Sequence, residues 1–162
     1  MKKDFSSKIL NNIVLVGIVL TVLALLITPL GITAIFKSQL GITESNIPIV
    51  ISIGIYICAI PYVVSLILLK KICKFIAIKE PFSMNIPIYL KKISICAFSE
   101  ILIFNAVQIG LYYFFDIYLY AISIIPAIIV SFVCLAIGFL SIVLGKLFEM
   151  AIEIKDENDK TI

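Results

Sequence analysis

Residues 117–145 read IYLYAISIIPAIIVSFVCLAIGFLSIVLG, twenty-nine in succession without a charge. About 20 apolar residues in a helix cross the hydrocarbon core of a bilayer. Three further runs have the same character. Residues 13–36 and 47–69 hold no charge, and residues 93–115 hold one, Glu100. Four transmembrane helices are therefore expected, over about residues 9–36, 47–72, 87–115 and 118–154, with a short tail at 155–162. The second run has a competing pattern. Ile stands at 47, 49, 51, 53, 55 and 57, which is the period of a strand. The residues between are Pro, Val, Ser, Gly and Tyr, so polar does not alternate with apolar, and the length of the run favours a helix. The first run is longer than the roughly 7–15 residues of a signal-peptide core, so it is expected to be a retained helix.

Composition agrees. Of 162 residues, 62 % are hydrophobic and 14 % charged, against about 45–50 % and 25 % in soluble domains. A soluble fold of this size has no means of hiding so much apolar surface, which excludes a cytosolic enzyme and a disordered chain. The length fits one membrane domain. The net charge of +3 comes from thirteen lysines with no arginine. Arginine is the usual reader of phosphates and base edges, and the lysines flank apolar runs, so direct nucleic-acid binding is excluded. Thirty-six isoleucines and lysine in place of arginine fit an AT-rich bacterial gene, hence a bacterial plasma membrane. Cys58, Cys73, Cys96 and Cys134 have no C-x-x-C spacing, and there is no His. No metal site or cofactor is expected.

Lysine placement sets orientation, because cytoplasmic flanks of membrane helices are enriched in Lys and Arg. With both termini cytoplasmic, twelve of the thirteen lysines are inside, and Lys37 alone is outside. Six cluster between the second and third runs: Lys70, Lys71, Lys74, Lys79, Lys91 and Lys92. The third and fourth runs meet at Asp116, among Tyr112, Tyr113, Tyr118 and Tyr120, like an aromatic belt at the outer interface. So short a connection makes these helices antiparallel neighbours.

Small residues recur at heptad-like spacing on every helix. The seams are Gly17, Thr21, Ala24, Thr28, Gly31; Gly54, Cys58, Pro61, Ser65; Cys96, Ser99, Ile103, Ala106, Gly110, with Ile103 the one large member; and Ala127, Ser131, Cys134, Gly138, Ser141, Gly145. Small residues let membrane helices approach closely, and heptad spacing keeps a seam facing its partner in a left-handed bundle. The expected fold is a compact, antiparallel, left-handed four-helix bundle, with a homo-oligomer interface as the alternative use of a seam. Close packing argues against a substrate path. Pro29, Pro61 and Pro126 are expected to kink their helices.

Glu100 is the one ionisable acid well inside a run, with Asn105 and Gln108 further along. Intramembrane carboxylates are costly and mark functional sites by default. The plainer reading pairs Glu100 with Lys70 or Lys71, or keeps it protonated. No Ser–His or paired-Asp constellation exists, so no enzymatic activity is expected.

The polar features lie on the inner side. The six-lysine segment is suited to anionic lipid, at about 1 kcal/mol per Lys, or to an acidic partner. Within it, Glu80, Pro81, Phe82 and Ser83 should turn, with Ser83 or Asn85 capping the next helix and Pro87 in its first turn. Leu144, Leu147, Phe148, Ala151 and Ile154 recur at helical spacing. The fourth helix should therefore continue as an amphipathic rod, ending in an acidic run that packs against the basic loop, is simply solvated, or docks a cytoplasmic protein.

That ending resembles the YoaS-like bacterial membrane proteins, a family of unknown function with four membrane helices. Glu157, Asn158, Asp159, Thr161 and Ile162 fit the family's terminal pattern, Lys160 departs from it, and Pro81, Phe82, Ser83 and Leu90 resemble its inner loop. The resemblance implies a membrane partner of a small cytoplasmic helix-turn-helix transcription regulator. The leading reading is a non-enzymatic regulatory protein whose loop and tail bind such a regulator. The alternatives are a small transporter or ion-coupled permease using Glu100, Asn105 and Gln108, and a self-immunity protein against a membrane-active peptide.

Overall fold

A computed structural model of the chain describes residues 2–39, 46–77, 82–115 and 120–160. They form four helices: α1 (Lys2–Gln39), α2 (Ile47–Ala77), α3 (Asn85–Phe115) and α4 (Tyr120–Lys160). Each is long and apolar enough to span a membrane. No more than 17 % of the most apolar stretch of any helix is buried within the protein, so lipid must solvate the rest. The chain is an integral multi-pass membrane protein. The helices outrun the apolar stretches. In particular, α4 stays helical through Asp156, Glu157, Asn158 and Asp159, where a separate tail is expected from the sequence.

Local chemistry sets the ends. The Asn46 carbonyl accepts from the Ile49 and Val50 amides at 3.1 Å, and Pro48 occupies the first turn of α2, where its missing N–H is no loss. Ser83 Oγ accepts from the Asn85 amide at 3.4 Å and its side chain at 3.2 Å. The Ile86 amide donates to the Ser83 carbonyl at 3.0 Å. Ser83 is thus the cap, and Pro87 lies in the first turn as expected. The turn residues Glu80 and Pro81, with Lys79, lie outside the described residues. So do Asp116, Tyr118 and the side chain of Tyr120. Tyr112 and Tyr113 stack edge to face at 5.2 Å.

Pro29 has no N–H to give the Leu25 carbonyl one turn earlier. Tyr56 of α2 supplies the replacement, its hydroxyl donating to Leu25 O at 3.0 Å. In lipid an orphaned carbonyl is costly and neighbouring helices commonly re-satisfy it. Pro29 therefore creates the acceptor that ties α1 to α2. The α1 threonines play no such part: Thr21, Thr28 and Thr33 donate to their own helix, to Gly17, Ala24 and Pro29 carbonyls.

The helices pack as an antiparallel bundle in chain order, α1 on α2, α2 on α3 and α3 on α4. Among the described residues, neither α1 nor α2 makes a backbone approach to α4. The expected tight closure is thus corrected to an open arrangement. The reason lies in the seams. A Cβ on Gly54 would stand 2.8 Å from Val107, and one on Gly138 2.8 Å from Phe98. Those glycines are true close contacts of α2 and α4 with α3. Gly17, Gly31 and Gly110 have nothing within 4 Å, so no neighbouring helix closes on those three glycines.

Packing is also lopsided along the axis. Leu68, Ile72, Ile86, Leu90 and Ile93 form a buried cluster at the lysine-rich end, joined by Phe75, Tyr89 and Phe148. Every described buried residue of α3 lies at or before Ala97, and every one of α4 at or after Gly138. Toward the other end α2 stays against α3, with Pro48, Ser52 and Gly54 buried, while no described residue of α3 or α4 is buried there.

Candidate functional site

Because α2 and α4, among the described residues, both pack on α3 and not on each other, a groove of about 620 Å³ lies between them with α3 at its back. Gly54, Cys58 and Tyr62 line it from α2, Glu100, Phe104 and Gln108 from α3, and Val130 and Cys134 from α4. Glu100 stands near the middle of the α3 span, Asn85–Tyr113, where the packed core ends and the groove begins.

Helix geometry explains which polar residues meet. Residues 100 and 108 lie about 80° apart on a helical wheel, whereas 100 and 105 lie about 140° apart. Glu100 and Gln108 accordingly share the groove. Asn105 does not: it is exposed beside Ile128 and Ser131 of α4, in a separate depression, and its amide donates to the Ile101 carbonyl at 2.7 Å. Of the three polar residues, Glu100 and Gln108 share the groove.

The Glu100 carboxyl has one oxygen, Oε2, that is buried and has no hydrogen-bond partner among the described residues. The lysine partners considered from sequence are out of place. The Gly54–Val107 contact sets an antiparallel register that puts Glu100 level with about Pro61, so Lys70 lies roughly 13 Å farther along α2. Lys71 is instead over the Tyr89 ring, at 5.7 Å from its centroid. All four cysteines are free thiols.

At the lysine-rich end, Lys71, Lys74, Lys91 and Lys92 are exposed and Lys70 half-exposed. Lys91 and Lys146 border a second groove of about 420 Å³ between α3 and α4, together with Glu149 and the buried Ser94 and Ser141. Phe82 and Met84, 46 % and 59 % exposed, present apolar surface on the loop. Lys155 of α4 stands over the Phe82 ring at 5.5 Å, bringing loop and tail together. The charges suggest tail against loop, but the contact described is between Lys155 and an aromatic ring, which they do not single out. Residues 153–160, including Glu157, Asn158 and Asp159, form an exposed helical end. Thr161 lies outside the described residues.

No curated protein and no solved structure matches the chain. A family model described as a protein of unknown function, DUF2975, matches residues 32–162, which takes in the end of α1 and all of α2, α3 and α4. With most of its length matched, the chain belongs to the DUF2975 family.

Proposed function

We propose that this chain is a non-enzymatic sensory membrane protein of the bacterial plasma membrane, with both termini cytoplasmic. Its groove receives a signal, and its loop and tail hold a cytoplasmic helix-turn-helix regulator. One observation carries the reading: a single unbroken helix, α4, lines the groove at Val130 and Cys134 and ends in the exposed segment 153–160. A helix of 41 residues is about 60 Å long. Movement of its groove half is therefore transmitted to its charged end. The twelve lysines on one side of the spans support the orientation. The likeness of the tail and loop to YoaS-like proteins supports the partner class. Lys70, Lys71, Lys74, Lys79, Lys91 and Lys92 hold this end against anionic lipid.

The transporter reading uses the same groove. It is the weaker one, because the cluster of Leu68, Ile72, Ile86, Leu90 and Ile93 lies beyond Glu100. A buried apolar cluster there offers no polar lining for a path, which suits a receptor. A self-immunity protein would do without the tail, and the test below separates that reading too.

Crosslinking in cells at native expression, with and without residues 156–162, tests the proposal. The intact chain should capture a DNA-binding protein identifiable by mass spectrometry, and the truncated chain at most a tenth as much. Equal capture by both chains, or no DNA-binding protein in either, would sink the regulatory reading.

A further inference from the structure

We infer that the groove between α2, α3 and α4 is a binding site for a lipophilic amine, held through its ammonium group by Glu100. As the identity of the signal this rests on the sensory reading; as a binding site it is tested by itself.

The argument is one of charge complementarity. Among the residues lining the groove, Glu100 is the one acid and there is no base. Among the described residues, none donates to its buried Oε2. An unsatisfied buried acceptor is costly, more so when charged. An ammonium N–H group supplies both the missing donor and the missing charge. A fatty acyl chain would fill the same space and leave Oε2 unpaired, and an anion would meet repulsion.

The surroundings fit the rest of such a molecule. Phe104 lies one helical turn beyond Glu100 on the same groove wall, and aromatic faces attract cations within about 6 Å. Val107, Leu111 and Val130 offer apolar contact to a hydrocarbon or aromatic body. Gln108 adds a second polar contact about 12 Å along α3 from Glu100. The volume of about 620 Å³ falls within the roughly 300–1,000 Å³ of small-molecule sites. The opening lies among spans that face lipid, so an amphiphile reaches it from the bilayer.

The test uses the full chain in phosphatidylcholine nanodiscs and two fluorescent probes. One is dansylcadaverine, a lipophilic primary amine. The other is its N-acetyl derivative, which has the same fluorophore and no charge. Wild type should bind the amine at least tenfold more tightly than the acetylated probe. Glu100→Gln should lose that preference, and Glu100→Asp, which keeps the charge, should retain it. Equal binding of both probes by wild type would identify a lipid-tail groove and overturn the assignment, even if a variant failed to fold. A preference that survives in Glu100→Gln would overturn it as well. Because the nanodisc holds no cytoplasmic partner, failure here leaves tail-dependent capture in cells standing, and the converse also holds.

Discussion

Gly138→Leu should separate α4 from α3 and destabilise the protein by about 3 kcal/mol, the upper part of the range for overpacking a tight contact. Even a bare Cβ at this position would stand 2.8, 2.9 and 3.2 Å from three atoms of the Phe98 ring. A planar ring has no flexible end to yield, and Phe98 is further braced edge to face against Phe139 at 5.6 Å. The helices must therefore move apart. In lipid that loss is severe, because close packing rather than hydrophobic expulsion holds membrane helices together. Gly17→Leu is the control: nothing lies within 4 Å of its Cβ position, so it should cost almost nothing. Unfolding by SDS in mixed micelles reads the difference. Equal stability of the two variants would show that the α3–α4 contact is not made as described.

The second large effect is expected at Ile86, which is 0 % exposed. Ile86→Ala should cost about 2–5 kcal/mol, the usual range for emptying a packed aliphatic site. The cavity would open among Leu68, Ile72, Leu90 and Ile93, the cluster that fastens α2 to α3. That cluster lies level with Lys70, Lys71, Lys91 and Lys92, where water meets the membrane, so the hydrophobic contribution adds to packing. Leu102→Ala, at a position 74 % exposed to lipid, should fall within about 0.5 kcal/mol of wild type. The same SDS titration compares the two. A loss at Ile86 no greater than at Leu102 would contradict the lopsided core.

Those two positions show what the sequence makes legible. The four spans are plain, since twenty or more apolar residues admit few structures in water or lipid. The small-residue seams are half legible. Spacing marks which face of a helix is small, not whether another helix comes to it. The same pattern thus selects Gly54 and Gly138, which are in close contact, and Gly17 and Gly31, which are not. The expectation of tight closure fails for that reason. At the candidate site, Glu100 is legible as a lone charge in an apolar run, and its sharing of a face with Gln108 follows from 100° per residue. Asn105 falls to the same arithmetic. The groove itself is not legible, because it depends on α2 and α4 standing apart from each other across α3. The tie of Tyr56 to Leu25 did leave a signal: a proline inside a helix always frees the carbonyl one turn back, and Pro29 frees Leu25.

The central claim is that the groove and the exposed end of α4 act as one device. The direct measurement is crosslinked capture of the cytoplasmic regulator by two chains with intact tails, wild type and Cys58→Trp, which fills the groove from α2. Yields are normalised to the chain present in the membrane. The account predicts a several-fold difference in captured regulator between the two. Equal capture would contradict it, leaving a tail that binds its partner without reference to the groove.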